Sequence, residues 1–168
     1  MPAVLAEVLT TIDRLWPLDG AESWDAAGLV TGDPDAPVER ILLAVDAVAA
    51  TIDEAIDVEA DLLIAHHPLL LRGVTSIAED RYKGALLARL IRGDCALVAA
   101  HTNADVVEQG TSAVLAARLG LVDVRPIVPG ADPSLGLGRI GRLPEPTTLG
   151  RLARRVAELL PPTATGVR

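Results

Sequence analysis

Three short, continuously apolar runs constrain this chain more than any other feature: RILLAVDA at 40–47, DLLIA at 61–65 and CALVAA at 95–100. Each has the length and branched-aliphatic content of a strand buried on both faces, and stretches of helical period lie between them. Thr51 followed by Glu54 is a capping-box pattern that predicts a helix from Thr51 to about residue 59. Further helices are expected over Asp80–Ile91 and Gln109–Leu119. Ahead of the first run, Val4, Leu5, Val8, Leu9, Ile12 and Leu15 fall on one helical face, predicting an amphipathic helix over 3–15 that Pro17 stops. Strands alternating with helices imply an α/β fold, a mainly parallel sheet flanked by helices on both faces and joined by right-handed crossovers. Phe is absent and Trp16, Trp24 and Tyr82 are the aromatics, so the core must be built from Ala, Val, Leu and Ile.

The texture changes after Leu121. Pro126, Pro129, Pro133, Pro144 and Pro146 arrive with several glycines before a last amphipathic helix from about Thr148 to Leu160. Residues 1–125 therefore read as the α/β core and 126–168 as a linker with the beginning of an inserted or second, smaller domain. Pro161 and Pro162 end the last helix, the residues after them could enter a strand, and the chain looks like the N-terminal part of a longer protein.

The charge pattern narrows the partners. The formal net charge is −8 and the basic residues form no stripe, which argues against nucleic acid. Arg151, Arg154 and Arg155 are the nearest approach to a basic patch and read as a solvated helix face. The first residues carry Glu7 and Asp13 within their apolar pattern, and no run reaches bilayer length, so no membrane partner is expected. Cys95 is the lone cysteine; it reads as a buried, inert thiol in a reducing compartment, and a cytoplasmic location is expected. GLGRIG at 136–141 has the letters of a dinucleotide fingerprint, but Pro144 and Pro146 forbid the helix that would hold a pyrophosphate, so a glycine-rich strand or turn is expected instead.

The ionisable residues converge on one predicted rim. Asp46 closes the first strand, His66 and His67 close the second, and HTNAD at 101–105 follows the third. In a parallel sheet all carboxyl ends share an edge, and that edge binds ligands. If the second strand breaks at the histidines, with Pro68 holding His67 extended, the two-residue alternation relaxes and both imidazoles face the crevice. They would then reach one metal ion from two sides, or one ion each, with Asp105 able to bridge a pair of divalent ions about 3.5–4 Å apart that share and activate a water. Zinc, iron, manganese, cobalt and nickel all suit such ligands. The alternative for each position alone is structural: packing or capping histidines, Asp105 as the N-cap of the next helix, and Asp46 satisfying loop amides.

SWDAAGLVTGDP at 23–34, ILLAVDA, DLLIAHHPLLLRG and AAHTNADVV together resemble the dinuclear-metal-centre proteins known as GTP cyclohydrolase 1 type 2 homologues, the Nif-three-like family. The likeness is close over residues 1–125 and looser beyond. It implies a metal-binding α/β core split by an inserted domain, two divalent ions per full-length subunit, and a homohexameric ring whose inner cavity holds the metal sites. Carried over by position, His66, His67 and Asp105 correspond to metal ligands and His101 to a neighbouring acid–base group. Trp24, Asp25 and Gly28 match a motif near the site, although Ala26 stands where the family has Asn. The family adds a His and a Glu from a C-terminal segment, and this chain has no histidine after His101, so the ligand set within it is incomplete. The implied activity is metal-dependent hydrolysis of a nucleotide-like substrate; the alternative is a non-catalytic metal-binding ring that acts as a scaffold or regulatory module.

Overall fold

In a computed structural model the first strands are β1 (Ala3–Val4), β2 (Gly28–Thr31), β3 (Pro37–Val38), β4 (Ile41–Asp46), β5 (Leu62–His67) and β6 (Ala96–Ala99). The helices among them are α1 (Leu5–Leu15), α2 (Ala49–Asp57), α3 (Tyr82–Arg92) and the short α4 (Thr102–Val106). The structure describes residues 2–162 and Gly166, so the strand expected after Pro162 lies outside the described residues. The chain divides into two compact units, Met1–Ala104 and Asp105–Arg168.

The first unit is organised by a four-stranded sheet in the order β2-β6-β5-β4. β4, β5 and β6 run parallel, with Leu42 opposite Leu63 and Leu63 opposite Leu97. These are the three apolar runs of the sequence. β2 adds an antiparallel edge, with Gly28 opposite Ala99. GLVT is too short and too mixed for its sequence to signal a strand. Alternation along the buried strands sorts the core into two layers. Leu63, Ala65 and Leu97 face Ile52 and Ala55 of α2 and Leu86, Leu87 and Leu90 of α3. Leu62, Ile64, Ala96 and Val98 face Leu5, Val8, Leu9 and Ile12 of α1. Coverage of both faces accounts for the uniformly apolar character of β5 and β6. β4, at the sheet edge, departs from the expected two-sided burial, and its Ile41, Leu43 and Val45 are exposed.

Two local expectations are corrected. α2 begins at Ala49, two residues before the capping pattern placed it. Thr51 is its third residue, and its hydroxyl accepts from the Val48 amide at 3.0 Å and donates to the Asp46 carbonyl at 2.6 Å. The polar reach-back is real, but it comes from inside the helix. β5 does not break at the histidines either: it runs through His67, which pairs with Asp46.

The second unit holds α5 (Thr111–Leu119), β7 (Val122–Arg125), β8 (Val128–Pro129), β9 (Gly136–Leu137), β10 (Ile140–Arg142) and α6 (Leu149–Leu159). β7 pairs with β10 and β8 with β9, all antiparallel. The GLGRIG segment supplies β9, a turn at Gly138 with φ of +64°, and β10, which is the strand-and-turn outcome expected for it. Its Arg139 donates to the carbonyls of Gly138 and Val107, each at 2.8 Å. The change of texture at residue 126 thus falls inside this unit, after α5 and β7. Among the described residues no helix is long and apolar enough to cross a membrane.

Candidate metal centre

The carboxyl ends of β5 and β6 bring the chain's three histidines together. One ring nitrogen from each of His66, His67 and His101 lies within 4.8 Å of the others. The ring centroids of His66 stand 5.1 Å from those of both His67 and His101, and the His67 and His101 centroids are 5.7 Å apart.

How two neighbours on one strand reach a common point follows from where the flanking strands end. The last β6 residue paired with β5 is Ala99, opposite Ala65, the residue just before His66. Its Nδ1 bonds the Ala100 carbonyl at 2.9 Å, drawing the ring over the end of β6. The Nδ1 of His67 bonds Asp46 Oδ1 at 2.7 Å, which draws the second ring over the end of β4. Backbone alternation persists, and the rings meet because each is anchored to the terminus of a different flanking strand.

His101 is held by a third acceptor, Asp25 Oδ1, at 2.9 Å. That carboxylate has no exposed surface, while His101 keeps 16% of its side-chain surface. Asp25 also accepts from the Thr102 amide at 3.0 Å, from the Thr102 hydroxyl, and from the Ala26 amide at 2.7 Å. Burial alone would push its carboxyl above the ordinary 3.8. The Thr102 hydroxyl, His101 and the two amides outweigh burial and hold it at about 2. Asn103, itself buried, accepts from the His101 amide at 3.0 Å and donates to the Trp16 carbonyl at 2.8 Å. The junction between β6 and α4 is thereby immobilised around His101.

The three imidazoles share one chemical arrangement. Carbonyl and carboxylate oxygens accept hydrogen bonds, so each Nδ1 carries a proton, and Nε2 is the nitrogen left to offer a metal its lone pair. A carboxylate or carbonyl behind the ring of a metal-binding histidine is the usual support for such a ligand. Imidazole nitrogens suit zinc, iron, cobalt and nickel, and three of them leave further coordination positions for substrate or water. The donor set therefore fits a divalent transition ion.

The sequence-derived residues fare differently. His66 and His67 lie together at the end of β5. His101, expected as an acid–base neighbour, is the third member of the histidine group. Asp105 belongs to the second unit, on the last turn of α4, and its carboxylate accepts from the Thr111 hydroxyl. Asp46 does not serve loop amides; its carboxylate faces His67. Asp25, Thr102 and the Ala100 carbonyl are the supporting groups that spacing did not disclose, although SWDAAG and HTNAD contain two of them. Cys95 is buried, as expected, and burial raises its thiol above the usual range.

Comparison with known proteins places the chain. It is 52% identical over 169 residues to a GTP cyclohydrolase 1 type 2 homolog of Streptomyces coelicolor, covering 98% of this chain and 59% of the relative. A protein of the same name from Mycobacterium tuberculosis is 48% identical over 133 residues, covering 78% of this chain and 35% of the relative. The chain thus spans about six tenths of the first relative's length and about a third of the second's. Among solved structures, the Staphylococcus aureus hypothetical protein SA1388 superposes with a TM-score of 0.86 at 29% identity, over 95% of this chain and 65% of that one. The family model described as Duf34/NIF3 (NGG1p interacting factor 3) matches residues 3–168. With the histidine-bearing sheet edge and these matches together, the chain belongs to the Duf34/NIF3 family.

Proposed function

We propose that this chain is the histidine-bearing portion of a divalent-metal-dependent hydrolase acting on a nucleotide-like substrate, as the name of its Streptomyces relative suggests. The observation that carries the metal reading is the common anchoring of three converging imidazoles through Nδ1, which turns Nε2 of each into the ligand nitrogen. A bound divalent ion supplies Lewis acidity there, making a water acidic enough to attack near neutral pH and stabilising charge on a substrate oxygen.

The chain's own residues do the remaining work. Ala100, Asp46 and Asp25 fix three ring orientations before any ion arrives, so little side-chain freedom is lost on binding. His67, half in solvent, stands on the open side of the group, and His101 on the enclosed side. Asp105 is the carboxylate that the family resemblance offers as a bridging ligand, and two ions per full-length subunit in a homohexamer belong to the same proposal.

Elemental analysis of the full-length protein tests it. At least one transition ion per subunit is expected, with loss of about tenfold or more in affinity on His66→Ala, His67→Ala or His101→Ala. Asp105→Asn distinguishes a second ion from a first, by lowering stoichiometry without abolishing binding. GTP turnover that survives His66→Ala would refute the hydrolytic reading, and sedimentation of the loaded protein reads the assembly.

A further inference from the structure

Trp24 is one of two tryptophans in a chain without Phe, and it is 57% exposed. Side chains of this size normally bury most of their surface, and within this chain the indole stands uncovered beside the imidazole cluster. Its ring meets His101 edge-on, with centroids 6.0 Å apart and planes at 79°. An edge contact of that kind cannot cover the indole as a stacked ring would.

The exposure is not the result of a loose segment. On one side of Trp24, the Glu22 amide donates to the Thr102 hydroxyl at 2.9 Å; on the other, the Asp25 amide donates to the Glu22 carbonyl at 2.9 Å. The Asp25 side chain is the fully buried carboxylate that holds His101 and Thr102. The indole therefore rides on a backbone tied at Glu22 and at Asp25 to the junction that carries His101. A rigid, water-facing aromatic surface next to a metal-binding group suits a ligand that is polar where it meets the ion and planar beyond it.

We propose that Trp24 is a stacking platform that selects ligands carrying a planar heteroaromatic ring, such as a purine base, while their phosphate or other anionic part lies toward the histidines. This inference rests on the metal-site reading above and adds the residue that would recognise the base. Base–aromatic stacking tolerates different bases because each offers a π-face, so Trp24 confers a preference for an aromatic ring rather than for one base.

The test uses full-length, metal-loaded protein, its Trp24→Ala and Trp24→Phe variants, and two probes: GTP, and inorganic triphosphate, which lacks base and sugar. Trp24→Ala should bind GTP about tenfold or more weakly, the scale of a lost base–aromatic contact, and bind triphosphate within about twofold of wild type. Trp24→Phe should retain most of the GTP affinity. GTP should quench part of the wild-type indole fluorescence, and that part of the quench should be missing from Trp24→Phe. Unaltered GTP affinity in Trp24→Ala, equal losses for both probes, or no wild-type quench at millimolar GTP would each overturn the platform. A shift in sedimentation of Trp24→Ala with binding intact would do the same, and assign the indole to a contact between copies. Metal content, read in every variant, reports separately on the histidine site. GTP that binds and quenches without turnover would refute the hydrolase reading and leave the platform standing.

Discussion

Asp25 and Asp46 each hold the Nδ1 of a histidine, in opposite surroundings. The Asp46 side chain is 57% exposed, so its pair with His67 contributes little to folding. Asp25 is enclosed and accepts from four donors, which the single carbonyl oxygen of an amide cannot satisfy. Asp25→Asn should therefore cost about 2–4 kcal/mol in denaturant unfolding, while Asp46→Asn stays within about 0.5 kcal/mol. Metal affinity should fall about 10–100-fold for both, since each supports a ligand. Asp25 also predicts an acid limb. An unfolded chain takes up its proton near the ordinary 3.8, whereas the folded one resists until about 2. The contribution is complete above about pH 5 and is lost as pH falls through about 2; it amounts to about 2 kcal/mol. Unfolding of the metal-free chain at pH 5 and pH 2.5 should show that difference, and Asp25→Asn should not. The three histidines were legible because they are few and all fall at strand ends. The support behind His101 was not, because Asp25 lies 76 residues earlier and the contact exists only once β6 has been laid beside β2.

At the scale of elements, one substitution should change sign with its surroundings. Glycine inside a helix ordinarily costs up to about 1 kcal/mol relative to alanine. Gly150, in the first turn of α6, has open space where a Cβ would go, so Gly150→Ala should raise stability by a few tenths to about 1 kcal/mol. Gly84, buried in α3, lies where a Cβ would overlap the carbonyl oxygens of Ala78 and Ile77. Gly84→Ala should destabilise by about 1–3 kcal/mol despite the better helix former, because backbone must shift to admit it. The two urea midpoints, measured side by side, check the contrast. A Gly84→Ala midpoint at or above the parent's would mean that the approach of that carbonyl loop to α3 does not constrain the helix. Element types were legible in the same uneven way. The apolar runs and the helical periods announced β4, β5, β6, α1 and α3 through burial on two faces or on one. β2 and α4 gave no periodic signal, being four and five residues long and stabilised by pairing and by Asp25 and Asn103 rather than by pattern.

Burial is distributed very unequally along the whole chain. Among the described residues, every buried hydrophobic side chain except Ala116 lies in Met1–Ala104. Both units expose some large hydrophobics, but in Asp105–Arg168 Val114, Val124, Ile127, Ile140 and Leu149 are exposed with almost no buried core to set against them, and its strands are two to four residues long. The sequence had shown a break in texture near residue 126, but periodicity could not show that α5, for all its helical pattern, buries only Ala116. Local opening costs least where few apolar contacts are lost. Hydrogen exchange on this 168-residue chain should therefore find the amides of β5 and β6 protected to the level of global unfolding. Those of α5, β7 and β10 should open with at least about 2 kcal/mol less, an exchange rate about 30-fold faster under conditions where opening is a pre-equilibrium. The histidine group sits on the protected side of that gradient, on β5 and the β6–α4 junction. A preorganised ligand set needs that rigidity, since support hydrogen bonds that opened with the second unit would not hold three rings in register. Equal protection of α5 and β5 would show that the second unit folds cooperatively with the first, and would remove the basis for treating the histidine-bearing rim as the most stable part of the molecule.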